Sequence, residues 1–257
     1  MSKDQELIPL FTTIFSFFKE KKEKDFRCYR GYYQPFAMPL HLVINHDPST
    51  KILIWKISES YTQLLSEIEL NQKSQTRLQS MKSEMHQRGF LSVRKLLQEV
   101  GYSDFDLVYT DEGKPNLKPN NCQTEPVEVS ISHSHDFASI IISEKPVGID
   151  LEICKEKILK IAPKFMNICR LENLSHEDQI KKVTVIWGIK ESVFKIKNQK
   201  GISFQNNIFE NQFDLKDKKT KAKFCFENVI ENYEVYFQEI ENYMLVYAFE
   251  EKYLLIH

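Results

Sequence analysis

Glycine is scarce in this chain, with 7 among 257 residues, and the spacings GxGxxG and GxxxxGK(S/T) do not occur. Glycine-rich loops of the kind that bind phosphates in dinucleotide-binding proteins and P-loop enzymes are therefore largely excluded. The 5 cysteines include no CxxC pair, and their odd number does not suit a disulfide framework. Cysteine usage thus argues against a structural zinc site and predicts a protein of the reducing cytoplasm.

A dominant charge is also missing, because 35 Lys and Arg residues nearly balance 36 Asp and Glu residues. This balance excludes a globally basic nucleic-acid binder, and we expect no nucleic-acid partner, while a local basic pocket is still compatible with it. The most apolar run, Leu7–Phe18, has about twelve residues against the roughly twenty that a membrane-spanning helix needs. Acidic residues precede it, unlike in a secretory signal, so we predict no membrane association.

Residues 1–37 differ in texture from the rest of the chain, since they contain an apolar run, a mixed-charge run and an aromatic tract. We expect them to form an N-terminal extension, or to lie upstream of a natural start at Met38. The alternative is that Leu7–Phe18 forms a helix that covers apolar surface of the segment that follows. On either interpretation, residues 1–37 contain no motif residue.

The remainder shows a similar order of elements twice. Residues 38–145 begin with two alternating strands, HLVIN and KILIWKI, followed by a helix near 60–70, one long helical pattern at 76–100, a short strand DLVY, a loop at 111–121 and the strands VEVSIS and FASIIIS. Residues 146–257 begin with the strand VGIDLEI, followed by a helix at 177–198 and three strands. We therefore predict an α+β fold of two similar lobes, an N-terminal lobe (38–145) and a C-terminal lobe (146–257).

Two acidic residues lie two positions apart at the end of the apolar strand VGIDLEI. In a strand, residues i and i+2 face the same side, so Asp150 and Glu152 share a site while Ile149 and Leu151 point to the core. Paired carboxylates need a compensating cation, and hard oxygen ligands suit Mg²⁺. The alternative is a strand that leaves the core with two solvated acids.

A second group of polar residues lies on the helix at 177–198. Trp187, Glu191 and Lys195 are spaced i, i+4, i+8, which places an aromatic ring, a carboxylate and a cation on one stripe. The alternative is a packed tryptophan beside an ordinary glutamate–lysine pair.

Two further segments carry polar side chains at predicted turns. Ser132-His133-Ser134-His135 joins two strands, and it fits either hydroxyl and imidazole donors for a phosphate or amide, or a zinc site that lacks a third ligand. Gly113-Lys114-Pro115 places a lysine on a stiff loop. By itself this short segment indicates no particular function.

Taken together, the segments GKPNL, SISHS, VGIDLE and WGIKESVFK resemble, in order and approximate spacing, the 4′-phosphopantetheinyl transferase superfamily. They are most similar to its two-lobed, monomeric type, which acts on acyl and peptidyl carrier proteins, and LIWKISES and QRGFLSVRKLL add to the likeness. The resemblance covers about residues 38–250. It implies two pseudo-symmetric lobes, each a small mainly antiparallel sheet packed on a long helix, with the active site in the cleft between them.

The resemblance also implies roles for individual residues. Metal ligands for Mg²⁺ at the coenzyme A pyrophosphate would be Asp150, Glu152 and Glu191, and catalytic groups would be Glu191 and Lys195. Contacts to coenzyme A would come from Arg88, Lys114, His133 and Lys195. Arg94 is the alternative to Arg88 for the 3′-phosphate, and the role of the motif residue Lys190 is left open. His135 stands where the family often has glycine, and Ser130 where asparagine is frequent.

The implied reaction moves 4′-phosphopantetheine from coenzyme A to a serine of an apo acyl or peptidyl carrier protein and releases 3′,5′-ADP. The expected protein is thus a cytoplasmic, Mg²⁺-dependent transferase that works as a monomer. Two alternatives are a coenzyme A-binding homologue without activity and a metal-dependent phosphohydrolase, which usually needs additional ligands for a second metal.

Overall fold

The computed structural model describes residues 40–120 and 125–251, apart from the side chain of Arg170. The predicted extension 1–37 lies outside the described residues. The strands are β1 (Leu40–Asp47), β2 (Thr50–Lys56), β3 (Leu107–Tyr109), β4 (Pro115–Leu117), β5 (Glu128–Ser134), β6 (Phe137–Ser143), β7 (Val147–Ile153), β8 (Ile208–Glu210), β9 (Lys219–Phe226), β10 (Val229–Ile240) and β11 (Tyr243–Glu250). The α-helices are α1 (Tyr61–Ser66), α2 (Gln72–Ser80), α3 (Glu84–Gln98), α4 (Lys157–Ile161), α5 (His176–Lys197) and α6 (Phe204–Asn207).

All pairs of neighbouring strands are antiparallel, in a four-stranded sheet of order β1-β2-β6-β5, a five-stranded sheet of order β7-β11-β10-β9-β8 and the small hairpin β3-β4. This arrangement of antiparallel sheets and helices confirms the α+β class. None of the helices in the described part of the chain combines the length and the apolar character needed to span a membrane.

Each sheet packs one face on its own helix. In the four-stranded sheet, Leu53 and Ile140 form a buried cluster with Leu91 and Leu97 of α3. In the five-stranded sheet, the side chains of β10 and β11 form a second cluster with α5. The opposite faces of the two sheets share a third apolar cluster, which is why their central strands read as nearly continuous apolar runs.

Helix α5 approaches the five-stranded sheet closely because two glycines leave room for it. A Cβ atom on Gly148 of β7 would lie 1.9 Å from the carbonyl oxygen of Ser192, and one on Gly188 would lie 2.6 Å from the Cγ2 atom of Val246. Gly148, two residues before Asp150, therefore allows the helix that carries Glu191 to lie directly against the strand that carries the acid pair.

The structure differs from the sequence-based prediction at two places. The single helical pattern at 76–100 is broken between α2 and α3, where Met81 has an extended backbone. Side chains replace the missing helical hydrogen bonds, since the amide of Gln87 donates to the Met81 carbonyl and the Ser80 hydroxyl donates to the Arg77 carbonyl. The predicted loop at 111–121 contains β4, which pairs with β3. Helix α1 begins after the N-cap Ser60, which forms a capping box with Gln63.

The free edge of β7 is covered by side chains of β5. The hydroxyl of Ser130 accepts a hydrogen bond from the backbone N–H of Ile149 (3.1 Å), and that of Ser132 accepts one from the N–H of Leu151 (3.2 Å). Serine hydroxyls thus take the place that a neighbouring strand would occupy, and they hold the two sheets together beside the acid pair.

Candidate active site

The acid pair of β7 is held by serines of β5. The Ser132 hydroxyl donates to Asp150 Oδ1 (3.1 Å), and the Ser134 hydroxyl donates to Glu152 Oε2 (2.9 Å). Two serines at alternate positions of β5 therefore donate hydrogen bonds to two carboxylates at alternate positions of β7. The period-two spacing in SISHS is the sequence signal that could have predicted this arrangement.

Asp150 is almost completely buried, with 4% of its surface exposed. Its Oδ1 atom forms an ion pair with Lys195 Nζ (2.9 Å), and the same ammonium donates to the backbone carbonyl of Ile149 (2.7 Å). Its Oδ2 atom is buried and has no hydrogen-bond partner. Because an unpaired buried carboxylate oxygen is costly, this atom marks a position that favours a further cation or donor.

Glu191 of α5 completes the acidic group. Burial, the charge of Asp150 and, to a smaller extent, that of Glu152 raise its pKa to about 7, against the opposing effect of Lys195. Burial and the charge of Asp150 likewise raise the pKa of Glu152, while the hydrogen bond from Ser134 lowers it. The three acids therefore repel one another in the absence of an added cation.

This repulsion predicts a dependence of stability on pH. Between pH 4.5 and about 7, folded Glu191 keeps a proton that the unfolded chain releases, so the free energy of unfolding falls as the pH rises. At about 1.4 kcal/mol per pH unit, the loss is at most about 3.5 kcal/mol. Denaturant titrations in the presence of a chelator should show this loss in the parent protein and not in Glu191→Gln. Identical pH profiles for the two proteins would contradict it.

The donors available to a Mg²⁺ ion are the carboxylate oxygens of Asp150, Glu152 and Glu191. Within residues 40–120 and 125–251, no three His, Cys, Asp or Glu side chains converge in an arrangement that could hold a metal ion. The chemistry of the donors nevertheless fits, because carboxylate oxygens are hard ligands, Asp150 Oδ2 has no hydrogen-bond partner, and burial and the charge of Asp150 raise the pKa values of Glu152 and Glu191. A shared ion requires these side chains to draw closer together.

The residues expected to contact coenzyme A differ in what they contact. Burial and the nearby charges of His86 and Lys195 lower the pKa of His133, whose side chain keeps substantial exposure. Lys114 forms an ion pair with Glu128 (3.0 Å). The structure therefore brings His133 and Lys195 near one another, while Lys114 is held by a carboxylate of β5.

The two candidate arginines of α3 have different surroundings. Arg94 is buried, pairs with Asp104 (2.9 Å) and stacks 3.4 Å from the ring centre of Phe90. Arg88 is only partly buried and donates to the backbone carbonyls of Ile57 and Glu59, each at 2.8 Å. Arg94 is thus committed to the core, and Arg88 is the better placed of the two for a ligand.

The stripe of Trp187, Glu191 and Lys195 on α5 lies partly in the site and partly in the core. Lys195 contacts Asp150, but Trp187 packs edge-to-face against Phe165 and Phe204, as the alternative interpretation of a packed tryptophan expects. Lys190, whose role the sequence left open, is buried and forms an ion pair with Glu210 of β8 (2.7 Å). Nothing in the sequence around Glu210 signals this partner.

Comparisons with known proteins agree with the motifs. Residues 146–248 match the family model of the 4′-phosphopantetheinyl transferase superfamily. The chain is 30% identical over 113 residues to 4′-phosphopantetheinyl transferase gsp of Aneurinibacillus migulanus, over 42% of this chain and 45% of that protein. It is 28% identical over 125 residues to 4′-phosphopantetheinyl transferase psf-1 of Bacillus pumilus, over 47% of this chain and 52% of that protein.

These alignments span about half the length of the curated relatives. The matched segment contains β7 with its acid pair and α5 with Glu191 and Lys195. The match to the family model therefore confirms, over residues 146–248, the resemblance to the 4′-phosphopantetheinyl transferase superfamily that the motifs indicate.

Proposed function

We propose that this protein transfers the 4′-phosphopantetheine group of coenzyme A to a serine of an apo acyl or peptidyl carrier protein, in a Mg²⁺-dependent reaction that releases 3′,5′-ADP. The observation that carries the proposal is the buried, unpartnered oxygen of Asp150 beside Lys195, in the segment that matches the transferase family. We further propose a monomeric, cytoplasmic enzyme.

Asp150, Glu152 and Glu191 would hold Mg²⁺, which when bound supplies positive charge to the pyrophosphate oxygens. In the reaction, the serine oxygen of the carrier forms a bond to the β-phosphorus, and the bond from that phosphorus to 3′,5′-ADP breaks. Phosphoryl transfer depends mainly on positioning and charge stabilisation, and the Lys195 ammonium adds a fixed positive charge next to Asp150.

The serine proton needs an acceptor. Glu191 fits this role because its pKa of about 7 lies near neutral pH, where a carboxylate can both hold and release a proton. His133, Lys114 and Arg88 would act at the nucleotide end of coenzyme A, away from the reacting phosphorus.

The test is mass spectrometry of an apo acyl carrier protein incubated with coenzyme A, Mg²⁺ and this protein. A gain equal to the phosphopantetheine group is expected, together with release of 3′,5′-ADP, and chelation should abolish both. Nucleotide hydrolysis without modified carrier would indicate a phosphohydrolase instead. Coenzyme A binding without either reaction would indicate a non-catalytic homologue.

Arg88 should determine how strongly the enzyme prefers coenzyme A to dephospho-coenzyme A. A charge-assisted hydrogen bond to the 3′-phosphate is worth about 1.5–3 kcal/mol, so the parent protein should discriminate by about 10-fold or more in KM and Arg88→Met by much less. The ratio of the two KM values is measured for each protein, so that the folded fraction cancels. Unchanged discrimination in Arg88→Met would refute this assignment.

A further inference from the structure

Four side chains form a continuous row of hydrogen bonds from the protein surface to the acid pair. Lys155 Nζ lies 2.6 Å from His135 Nε2, and His135 Nδ1 lies 3.3 Å from the Ser134 hydroxyl. The same hydroxyl lies 2.9 Å from Glu152 Oε2. Lys155 is exposed and Glu152 is largely enclosed, so the row runs from solvent into the site.

The direction of hydrogen-bond donation along the row is fixed by the groups at its two ends. An ammonium group can only donate, so His135 Nε2 must accept from Lys155 and the ring proton must lie on Nδ1. His135 then donates from Nδ1 to the Ser134 oxygen. A carboxylate can only accept, so the hydroxyl proton of Ser134 points to Glu152. Only this arrangement gives each of the three contacts one donor and one acceptor.

We propose that His135 and Lys155 are positioning residues for Glu152: Lys155 selects the Nδ1–H tautomer of His135, which commits the Ser134 hydroxyl to Glu152. The proposal rests on the proposed function only for its effect on turnover. In the other tautomer, Nδ1 carries a lone pair and competes with Glu152 for the hydroxyl proton of Ser134. Lys155 removes this competitor.

Two observations support the proposal. Burial and the charge of Lys155 lower the pKa of His135, which keeps the ring neutral and its Nε2 lone pair available. The backbone of His135 is left-handed, with φ of 49°, a conformation that favours glycine over a histidine. The backbone of His135 adopts this unfavourable conformation while its ring contacts Lys155 on one side and Ser134 on the other. This combination is consistent with a role for the ring.

The tautomer is measured directly by long-range ¹H–¹⁵N spectra of the histidine rings at about pH 8, where a histidine with a lowered pKa is neutral. His135→Gly identifies the resonances of His135 by their loss. We expect Nδ1 to be protonated in the parent protein and in Lys155→Arg, and the Nε2–H form to appear in Lys155→Met. An Nε2–H ring in the parent protein, or no change in Lys155→Met, would overturn the proposal.

The effect on turnover is measured with a double-mutant cycle. Lys155→Met should lower kcat by roughly three- to tenfold, because the Ser134 bond to a charged group is weakened. The same substitution should have no further effect in a His135→Gly background, where no ring competes for the hydroxyl proton. Lys157→Met, which removes a neighbouring exposed lysine, should leave turnover unchanged.

A loss on Lys155→Met that persists in the His135→Gly background would contradict the proposal and indicate that Lys155 contacts the carrier protein instead. A parent protein without transferase activity would refute the proposed function only, because the spectra require no turnover. These measurements therefore distinguish a failure of the proposed role of His135 and Lys155 from a failure of the proposed function.

Discussion

We expect Asp150→Ala, Glu152→Ala and Glu191→Ala each to lower the rate of carrier modification by at least about 100-fold. Each removes a proposed ligand of Mg²⁺, and the loss of one charge-stabilising element costs about this much in other enzymes. Asp150→Ala should also remove the ion pair of Lys195, which keeps its hydrogen bond to the Ile149 carbonyl.

The measurement is the initial rate of holo-carrier formation at saturating coenzyme A and Mg²⁺. Glu144→Ala is the matched control, since it removes an exposed acid from the turn directly before β7 and should keep full activity. Thermal unfolding establishes that each variant is folded. Normal turnover in a folded variant would remove that residue from the site.

The second large effect concerns stability. Lys190 and Glu210 form an ion pair with side-chain exposures of 2% and 5%. Removal of one partner of a buried pair typically costs about 3–5 kcal/mol, because it leaves an uncompensated charge. Both residues line a depression of about 450 Å³ that admits water, so we expect the lower end, about 3 kcal/mol, for Lys190→Met and for Glu210→Leu.

Urea denaturation provides the measurement, with the double variant as the comparison. Lys190→Met with Glu210→Leu removes both charges of the pair, so it should lose clearly less than the sum of the two single variants. An additive loss would show that the pair itself contributes little. Neither single variant should alter the KM for coenzyme A in the fraction that folds.

Local patterns in the sequence predicted the elements that carry their own signals. The strands around Asp150 and the helix with Glu191 follow from apolar alternation and helical spacing, both of which act over a few positions. The break at Met81 was missed because Gln87, six residues along the chain, supplies the hydrogen bond that permits it.

The surroundings of the site residues could not be predicted in the same way. The i, i+2 spacing placed Asp150 and Glu152 on one face, but the hydroxyls that hold them come from another strand. Lys190 lies next to Glu191 in sequence, and yet its partner Glu210 is twenty residues away on β8. Such contacts depend on how the sheets and helices pack, which no short window of sequence contains.

Neighbouring backbone amides of β7 are protected from hydrogen exchange by different contacts, because serine hydroxyls cover one edge of the strand and β11 pairs with the other. The N–H groups of Ile149 and Leu151 are protected from hydrogen exchange by hydroxyls of the other sheet, not by a strand of their own. Separation of the sheets by a few ångström exposes these two amides while the pairing of β7 with β11 persists. Their exchange rates therefore measure how often the two halves of the site part, and binding of a ligand between them should slow exchange at these two positions first.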